Sequence, residues 1–166
     1  MKHIADLPIP AFEQKIVQPD DLAARVAQLP RPVVFTNGCF DILHRGHVTY
    51  LAQARALGAS LIVAANTDAS VRRLGKGDDR PMNPLDNRMA VLAALESISL
   101  VTWFDEDTPI ERILDCQPDI LVKGGDWAVD KIVGAPEVRS WGGTVVSIPF
   151  LHQTSTTAMV NKIRGS

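Results

Sequence analysis

The sequence predicts an α/β protein, a Rossmann-like parallel sheet of about five strands with helices on both faces. Two observations predict it. Five short runs rich in apolar and β-branched residues lie along the chain, and stretches with helical periodicity separate them. The runs are continuously apolar rather than alternating, as expected for strands covered on both sides, because each parallel crossover must return over a face of the sheet.

Asp20 to Leu29 reads as a short amphipathic helix, with Pro19 before it, Asp20 and Asp21 in its first turn, and Pro30 and Pro32 ending it. Val33 to Thr36 is the first strand, closed by Asn37-Gly38. Gly46 to Gly58 carries apolar residues at Val48, Leu51, Ala52 and Leu57 and makes the first crossover helix. Leu61 to Ala65 is the second strand. A polar loop of Gly, Lys, Asp and Arg leads to a helix over Pro84 to Leu95, with Leu85, Met89, Leu92 and Ala93 on one face. The third strand is Leu100 to Phe104, followed by a helix over Pro109 to Cys116, a strand over Ile120 to Lys123 and a short helix over Pro136 to Trp141. Thr144 to Ile148 is the fifth strand, and a helix over Thr156 to Ile163 closes the chain. No repeat, low-complexity tract or linker divides it. We expect an N-terminal extension over 1–31 with a short helix, then one domain over 32–166.

Composition narrows the function classes. Lys and Arg number 17 against 19 Asp and Glu, giving a net charge of −2, and the basic residues are scattered, which argues against nucleic acid or anionic lipid as partner. No apolar run approaches the roughly 20 residues of a membrane span. Met1 to Pro10 has neither the basic start and apolar core nor the cleavage site of a secretory leader, so a cytoplasmic location is expected. Cys39 and Cys116 form no CxxC pair and cannot make a zinc set by themselves.

Open α/β sheets bind ligands outside the carboxyl ends of their strands. The loop there after the first strand reads Thr36-Asn37-Gly38-Cys39-Phe40-Asp41-Ile42-Leu43-His44-Arg45-Gly46-His47 and runs straight into a helix. A helix N-terminus offers unpaired N–H groups and a partial positive charge, a natural seat for phosphate, and Gly46 lets such a group approach closely. Histidines three apart can share one side of the helix and donate to one phosphoryl group, each removing about 3 kcal/mol from a barrier by analogy with an oxyanion-hole donor. The alternatives are surface decoration and half of a metal site, and no convincing His or Cys partner accompanies the pair as a further zinc ligand.

The string Gly38 to His47 resembles the signature of the cytidylyltransferase-like nucleotidyltransferases. The resemblance spans Phe12 to Ile163 and includes Asn66-Thr67-Asp68, Gly75-Lys76-Gly77, Arg80-Pro81, Asn87-Arg88, Val122 to Trp127 and Ser155-Thr156-Thr157. It implies that 32–166 is a nucleotidyltransferase domain in which His44 and His47 hold the α-phosphate of a nucleoside triphosphate. It further implies nucleotide contacts from Asn37, Gly38, Cys39, Phe40, Gly46, Arg88, Lys123, Gly124, Asp126, Ser155, Thr156 and Thr157. The hydroxyls of Thr154 to Thr157 can cap the last helix or bind the β- and γ-phosphates. Lys76, in a Gly-flanked loop, can fold over the triphosphate as a third catalytic group or stay solvated. Arg88 can reach the nucleotide or lie exposed, and Trp127 can pack or read the base.

Within the family, Thr36 to His44, Lys123 to Trp127 and Ser155 to Thr157 are similar to the branch that adenylylates heptose 1-phosphate. Glu96 and Phe150 stand where the glycerol-3-phosphate cytidylyltransferases carry arginines. The resemblance therefore implies transfer of AMP from ATP to D-glycero-β-D-manno-heptose 1-phosphate, giving ADP-heptose for lipopolysaccharide core synthesis. The other readings are a cytidylyltransferase acting on glycerol 3-phosphate or a related small phosphate, and a non-catalytic nucleotide sensor. Arg45, Asn66, Asp68 and Arg80 are the candidates for the sugar phosphate. Magnesium is expected, carried mainly by the ATP phosphates, with no dedicated protein metal site. The bifunctional members of this branch carry a ribokinase-like domain ahead, for which this chain has no room. A separate kinase and phosphatase of the same pathway, and a homodimer, are the expected partners.

Overall fold

The computed structural model describes residues 7–75, 77, 79–152 and 154–165. Five strands, β1 (Val33–Gly38), β2 (Ser60–Asn66), β3 (Leu100–Phe104), β4 (Ile120–Gly124) and β5 (Thr144–Ile148), form one sheet in the order β3-β2-β1-β4-β5. Every neighbouring pair is parallel. Helices α1 (Leu22–Val26), α2 (Arg45–Ala56), α3 (Asp68–Arg73), α4 (Leu85–Ala93), α5 (Ile110–Cys116), α6 (Ala135–Ser140) and α7 (Thr156–Ile163) complete the chain. The Rossmann-like α/β class read from the sequence is the observed one. Among the described residues no helix is long and apolar enough to cross a membrane.

The strands are apolar on both faces because each face is a core. Phe35, Ile62, Ala64, Leu100 and Leu121 pack with α1, α5 and α6, while Val34, Leu61, Val63, Ala65 and Val122 pack with α2 and α4. A sheet buried twice leaves no polar alternation to read. The segment ahead of β1 joins both cores, Phe12 and Ile16 packing on the second and Val17, Leu22, Val26 and Leu29 on the first. Ile16 bridges to Val101, the Val17 N–H donates to the Val101 carbonyl, and Leu22 and Val26 are buried with Ile113 and Cys116 of α5.

Three local readings change. The buried face of α2 is Gly46, Tyr50, Leu51 and Ala54, whereas Val48, Ala52 and Leu57 are exposed. The small residues Gly46 and Ala54 bring the helix close to the sheet, and Tyr50 is buried because its hydroxyl meets Thr36 Oγ1 at 2.5 Å. Helix α3 lies where a polar loop was expected; Thr67 caps it by accepting from the Ser70 N–H at 3.1 Å, and it buries only Ser70 and Val71, too little for an apolar stripe. The first helix is shorter than the expected Asp20 to Leu29, with a 3-10 turn over Pro19–Asp21 ahead of it and a further one over Ala11–Lys15.

The position of the site follows from the pairing. β1 runs beside β2 through six residue pairs, but beside β4 only through Val34–Ile120 and Phe35–Leu121. That edge is the point where the strand order reverses, and the two carboxyl ends part there, leaving the crevice in which open α/β sheets take ligands.

The return from α2 to β2 is tight. The Pro32 carbonyl accepts from the N–H groups of Ala59 and Ser60, and a Cβ on Gly58 would meet that oxygen at 2.5 Å and Val34 Cγ2 at 2.7 Å. Gly58→Ala is expected to lower stability by about 1–3 kcal/mol, from overpacking against backbone. Urea unfolding measures this as a lower midpoint with an unchanged slope.

Candidate active site

The two histidines meet at the start of α2. His44 is its N-cap, and its Nδ1 accepts from the Gly46 N–H at 3.1 Å. That bond assigns the neutral ring its tautomer: the lone pair is on Nδ1, so the proton sits on Nε2 as a donor. Gly46 is required for this fold-back, since a Cβ there would lie 3.0 Å from the His44 ring and 3.3 Å from the His152 carbonyl. The His44 and His47 rings stack at 3.9 Å, and Phe40 meets His47 edge-on at 5.5 Å.

This arrangement keeps both rings neutral. Burial lowers the His44 pKa. Burial, then the neighbouring His44, push His47 down to about 4, with the Ile42 backbone pulling the other way. Two imidazolium ions at this separation would repel by about 4 kcal/mol at an effective dielectric near 20. An anion placed against the pair reverses that sign.

Two buried ion pairs hold the loop that carries the histidines. The Asp41 carboxylate accepts from Arg80 Nε at 2.5 Å and from the N–H groups of Met82 and Asn83, while its carbonyl accepts from Asn83 Nδ2. Burial alone would raise the Asp41 pKa; the Asn83 and Met82 N–H groups and the Arg80 guanidinium outweigh it and hold the pKa below the usual carboxylate range. Arg88 is withdrawn from solvent and donates to the carbonyls of Asn83, Cys39 and Asn66 and to Asp68 Oδ1, at 2.6 to 3.0 Å.

These contacts bear on three expectations. Arg88 ties the ends of β1 and β2 to the loop before α4. Asp68 is its counter-ion, and Arg80 is the counter-ion of Asp41. Four groups that neutralise each other cost less to bury together than any one alone.

The remaining site residues divide between two sides of the parted strands. On one side, Ser155 caps α7 by accepting from the Ala158 N–H, and Thr156 Oγ1 reaches the Ile42 carbonyl at 3.4 Å, so the start of α7 adjoins the histidine loop; Thr157 is exposed. The close neighbours of Gly124 are rings: a Cβ there would meet Phe150 at 2.8 Å and Tyr50 at 3.2 Å. Tyr50 and Phe150 pack edge-to-face at 5.7 Å, with the Tyr50 pKa pushed up to about 12 by burial. On the other side, a cleft of about 450 Å³ opens between Asn37, Gly38, Cys39, Asn66, Lys123 and Trp127. Lys123 Nζ lies 3.4 Å from Asn37 Oδ1. The Asn66 side chain is engaged by Ser70 Oγ and the Cys39 thiol. Arg45 and Asp126 are exposed, and Lys76 lies outside the described residues, between Gly75 and Gly77, both at positive φ. Glu96 lines a separate groove with Val48, Ala52 and Arg55, in which no expected site residue takes part.

Tyr50 and Asp41 are the site residues that sequence reasoning passed over, while Phe150 was singled out only as a departure from the glycerol-3-phosphate cytidylyltransferases. Tyr50 carries no signal of its own, since an aromatic in a helix reads first as packing. Asp41 lies inside the recognisable loop and its carboxylate could have been asked for a partner.

Comparison with known proteins agrees with the geometry. The family model described as cytidylyltransferase-like matches residues 35–164. The chain is 59% identical over 155 residues to the D-beta-D-heptose 1-phosphate adenylyltransferase of Bordetella bronchiseptica, covering 92% of this chain and 96% of that protein. It is also 59% identical over 133 residues to the bifunctional protein HldE of Hahella chejuensis, covering 80% of this chain and 28% of that longer one. Among solved structures, a lipopolysaccharide core biosynthesis protein from Thermoplasma volcanium superposes with a TM-score of 0.59 at 27% identity, covering 74% of this chain and 98% of that one.

Arg88→Met is expected to destabilise the fold by roughly 3–5 kcal/mol, since it strands the Asp68 carboxylate and three carbonyls, and to lower Tm by about 10 °C. Arg88→Lys is expected to recover little, because one ammonium cannot reach all four acceptors. A melting shift of a degree or two in Arg88→Met would show that the guanidinium is not the tie described above.

Proposed function

The chain belongs to the cytidylyltransferase-like family, and from that premise we propose that it transfers the AMP moiety of ATP to D-glycero-β-D-manno-heptose 1-phosphate, forming ADP-heptose and pyrophosphate. The near-full-length similarity to the Bordetella adenylyltransferase carries this reading. The histidine pair at the start of α2 supplies the chemistry that it needs.

Little covalent work falls to the protein. A sugar phosphate has its second pKa near about 6, so its oxygen is mostly ionised at neutral pH and needs no general base. That oxygen forms the new bond to the α-phosphorus, the bond from the α-phosphorus to the bridging oxygen breaks, and pyrophosphate leaves with the electron pair. The task is to hold two anions in line and to stabilise charge on the equatorial α-oxygens. In this reading His44 donates from Nε2 and His47 stands beside it, both on the α-phosphate. The N–H groups at the start of α7, with Thr156 and Thr157, take the β- and γ-phosphates. Lys76 is the third catalytic group of this reading, its ammonium charge neutralising the triphosphate. Gly124 with the Tyr50 and Phe150 rings offers the apolar floor on which a base can rest.

Among the described residues no group of three or more His, Cys, Asp or Glu gathers as a metal cage. The side chains facing the phosphates are imidazoles and hydroxyls, a set suited to anions rather than to a hard cation. A magnesium ion brought in with the triphosphate would be carried mainly by phosphate oxygens and water and would supply neutralising charge for the leaving pyrophosphate. The acceptor has to be made elsewhere, by a sugar kinase followed by a phosphatase, and we place the enzyme with them in the cytoplasm.

Pyrophosphate release tests the assignment in a matrix of ATP and CTP against heptose 1-phosphate, glycerol 3-phosphate and pantetheine phosphate. Turnover is expected only with ATP and the heptose; turnover confined to CTP and glycerol 3-phosphate would overturn the assignment. His47→Ala is expected to lower kcat by about 10²–10³ with a much smaller change in KM for ATP.

The neutral resting pair has a pH signature. Bound phosphate raises the pKa of His47 from about 4, so binding takes up a proton between that value and the higher pKa of the complex. Affinity for a non-hydrolysable ATP analogue is expected to tighten as pH falls from 7.5 to 5.5. Calorimetry in two buffers of different ionisation enthalpy should register proton uptake that His47→Gln reduces. For the free protein the sign is opposite: below pH 6.5 the unfolded chain takes up a proton that folded His47 refuses down to about 4, so stability falls across that window.

A further inference from the structure

Gly124 ends β4, and on one edge it has no strand beside it. The Gly125 N–H donates to the Ile148 carbonyl of β5 at 2.8 Å, so by the alternation of an extended strand the Gly124 N–H and carbonyl turn to the opposite edge. There β1 would lie, had it not left β4 after the Phe35–Leu121 pair. Backbone groups at such a break need partners from elsewhere.

Two aromatic side chains take the place of the strand. The Gly124 N–H donates to the Tyr50 hydroxyl, and the Gly124 carbonyl accepts from Trp127 Nε1 at 3.1 Å. Since the Tyr50 oxygen accepts from Gly124, its own proton goes to Thr36 Oγ1, 2.5 Å away on β1. Tyr50 is only 3% exposed, and its ring edge lies 3.2 Å from where a Cβ on Gly124 would be. The hydroxyl therefore spans the gap between the parted strands, from Gly124 through Tyr50 to Thr36. Phe150 closes on the same glycine and packs edge-on against Tyr50, but it has no polar atom with which to replace the tie.

Tyr50 also belongs to α2. It stands three residues after His47, about 4.5 Å farther along the helix axis at 1.5 Å per residue. One helix thus carries the two histidines at its start and the tie to Gly124 a turn later. In the reading above the α-phosphate lies on the first and the base rests beside the second, so α2 sets the distance between them.

We propose that Tyr50 is a positioning residue for the nucleotide: by standing in for β1 beside Gly124, its hydroxyl holds the base-side backbone at a fixed distance from the histidines. The proposal rests on the adenylyltransferase reading above. Tyr50 acts through Gly124 and takes no part in the transfer itself.

Tyr50→Phe removes the hydroxyl and keeps the ring. Titration with a non-hydrolysable ATP analogue and with pyrophosphate separates positioning from general damage, because pyrophosphate has no base to misplace. The variant is expected to bind the ATP analogue about fivefold more weakly, the effect of one net hydrogen bond, and pyrophosphate within about twofold of wild type. Equal losses for both ligands, or an unchanged affinity for the ATP analogue, overturn the proposal. Amide hydrogen exchange tests the tie without a ligand. The wild-type Gly124 amide is expected to exchange at least about tenfold more slowly than in an unstructured peptide, and to lose that protection in Tyr50→Phe while Gly125, bonded to β5, keeps its own. An unprotected Gly124 amide in the wild type, or equal protection without the hydroxyl, overturns the tie, and the wild-type measurement decides by itself should the variant not fold. Absence of wild-type turnover in the matrix assay, with the Tyr50-dependent difference in binding intact, would instead sink the reaction assigned above and leave the positioning of the nucleotide standing.

Discussion

A single guanidinium determines whether this site has a shape. Arg88 enters from α4, reaches under the sheet's carboxyl edge and gathers the carbonyls of Cys39, Asn66 and Asn83 with the carboxylate of Asp68. Those acceptors lie at the end of β1, the end of β2, the loop before α4 and the first turn of α3. Backbone carbonyls at the ends of buried strands have lost both their ladder and their water, and each would cost about 1–3 kcal/mol if left alone. One planar donor with several N–H groups satisfies them at once and fixes where the histidine loop leaves the sheet. Asp41 and Arg80 repeat the device one step farther on, joining that loop to the segment before α4.

With the loop held, the histidine pair acquires its electrostatic character. Stacked rings at 3.9 Å, one of them largely buried, stay neutral until an anion arrives. The resting site therefore carries little charge of its own to desolvate, and the phosphate brings the reason for protonation with it. Gly46 makes both halves possible, because its N–H fixes the His44 tautomer and its missing side chain lets the ring fold back. Preorganised donors of this kind need no rearrangement when charge develops.

The parting of β1 from β4 after Phe35 and Leu121 gives the site two sides rather than one pocket. The start of α7 and the Tyr50 and Phe150 rings lie on one side, with Lys123, Trp127 and the cleft on the other. Gly124 lies close to Phe150 and Tyr50, and Gly125 close to both Trp127 and Phe150. A transfer between two phosphates requires two anions to approach from opposite directions, and this division of the crevice suits that geometry.

Much was determined by the sequence alone. Strands β3 and β5 and helix α7 begin and end where the residue pattern places them, because a continuous apolar run or a hydroxyl cap is a local property that the neighbours in the chain suffice to produce. The histidine loop was legible for the same reason: its parts stand within twelve consecutive residues after the first strand. Only the tertiary structure decided what the charged residues do. Arg88, Asp68 and Arg80 look like ligand-binding groups in a list, but Arg88 meets Asp68 and main-chain carbonyls as much as 49 residues away, and Arg80 meets Asp41. Which face of α2 is buried was likewise settled by Tyr50 finding Thr36 and by Gly46 and Ala54 allowing close approach, contacts that no hydrophobic period records. Local patterns set the elements, whereas the destination of a buried charge depends on which backbone groups the fold leaves unpaired, and these exist only once the strands have come together.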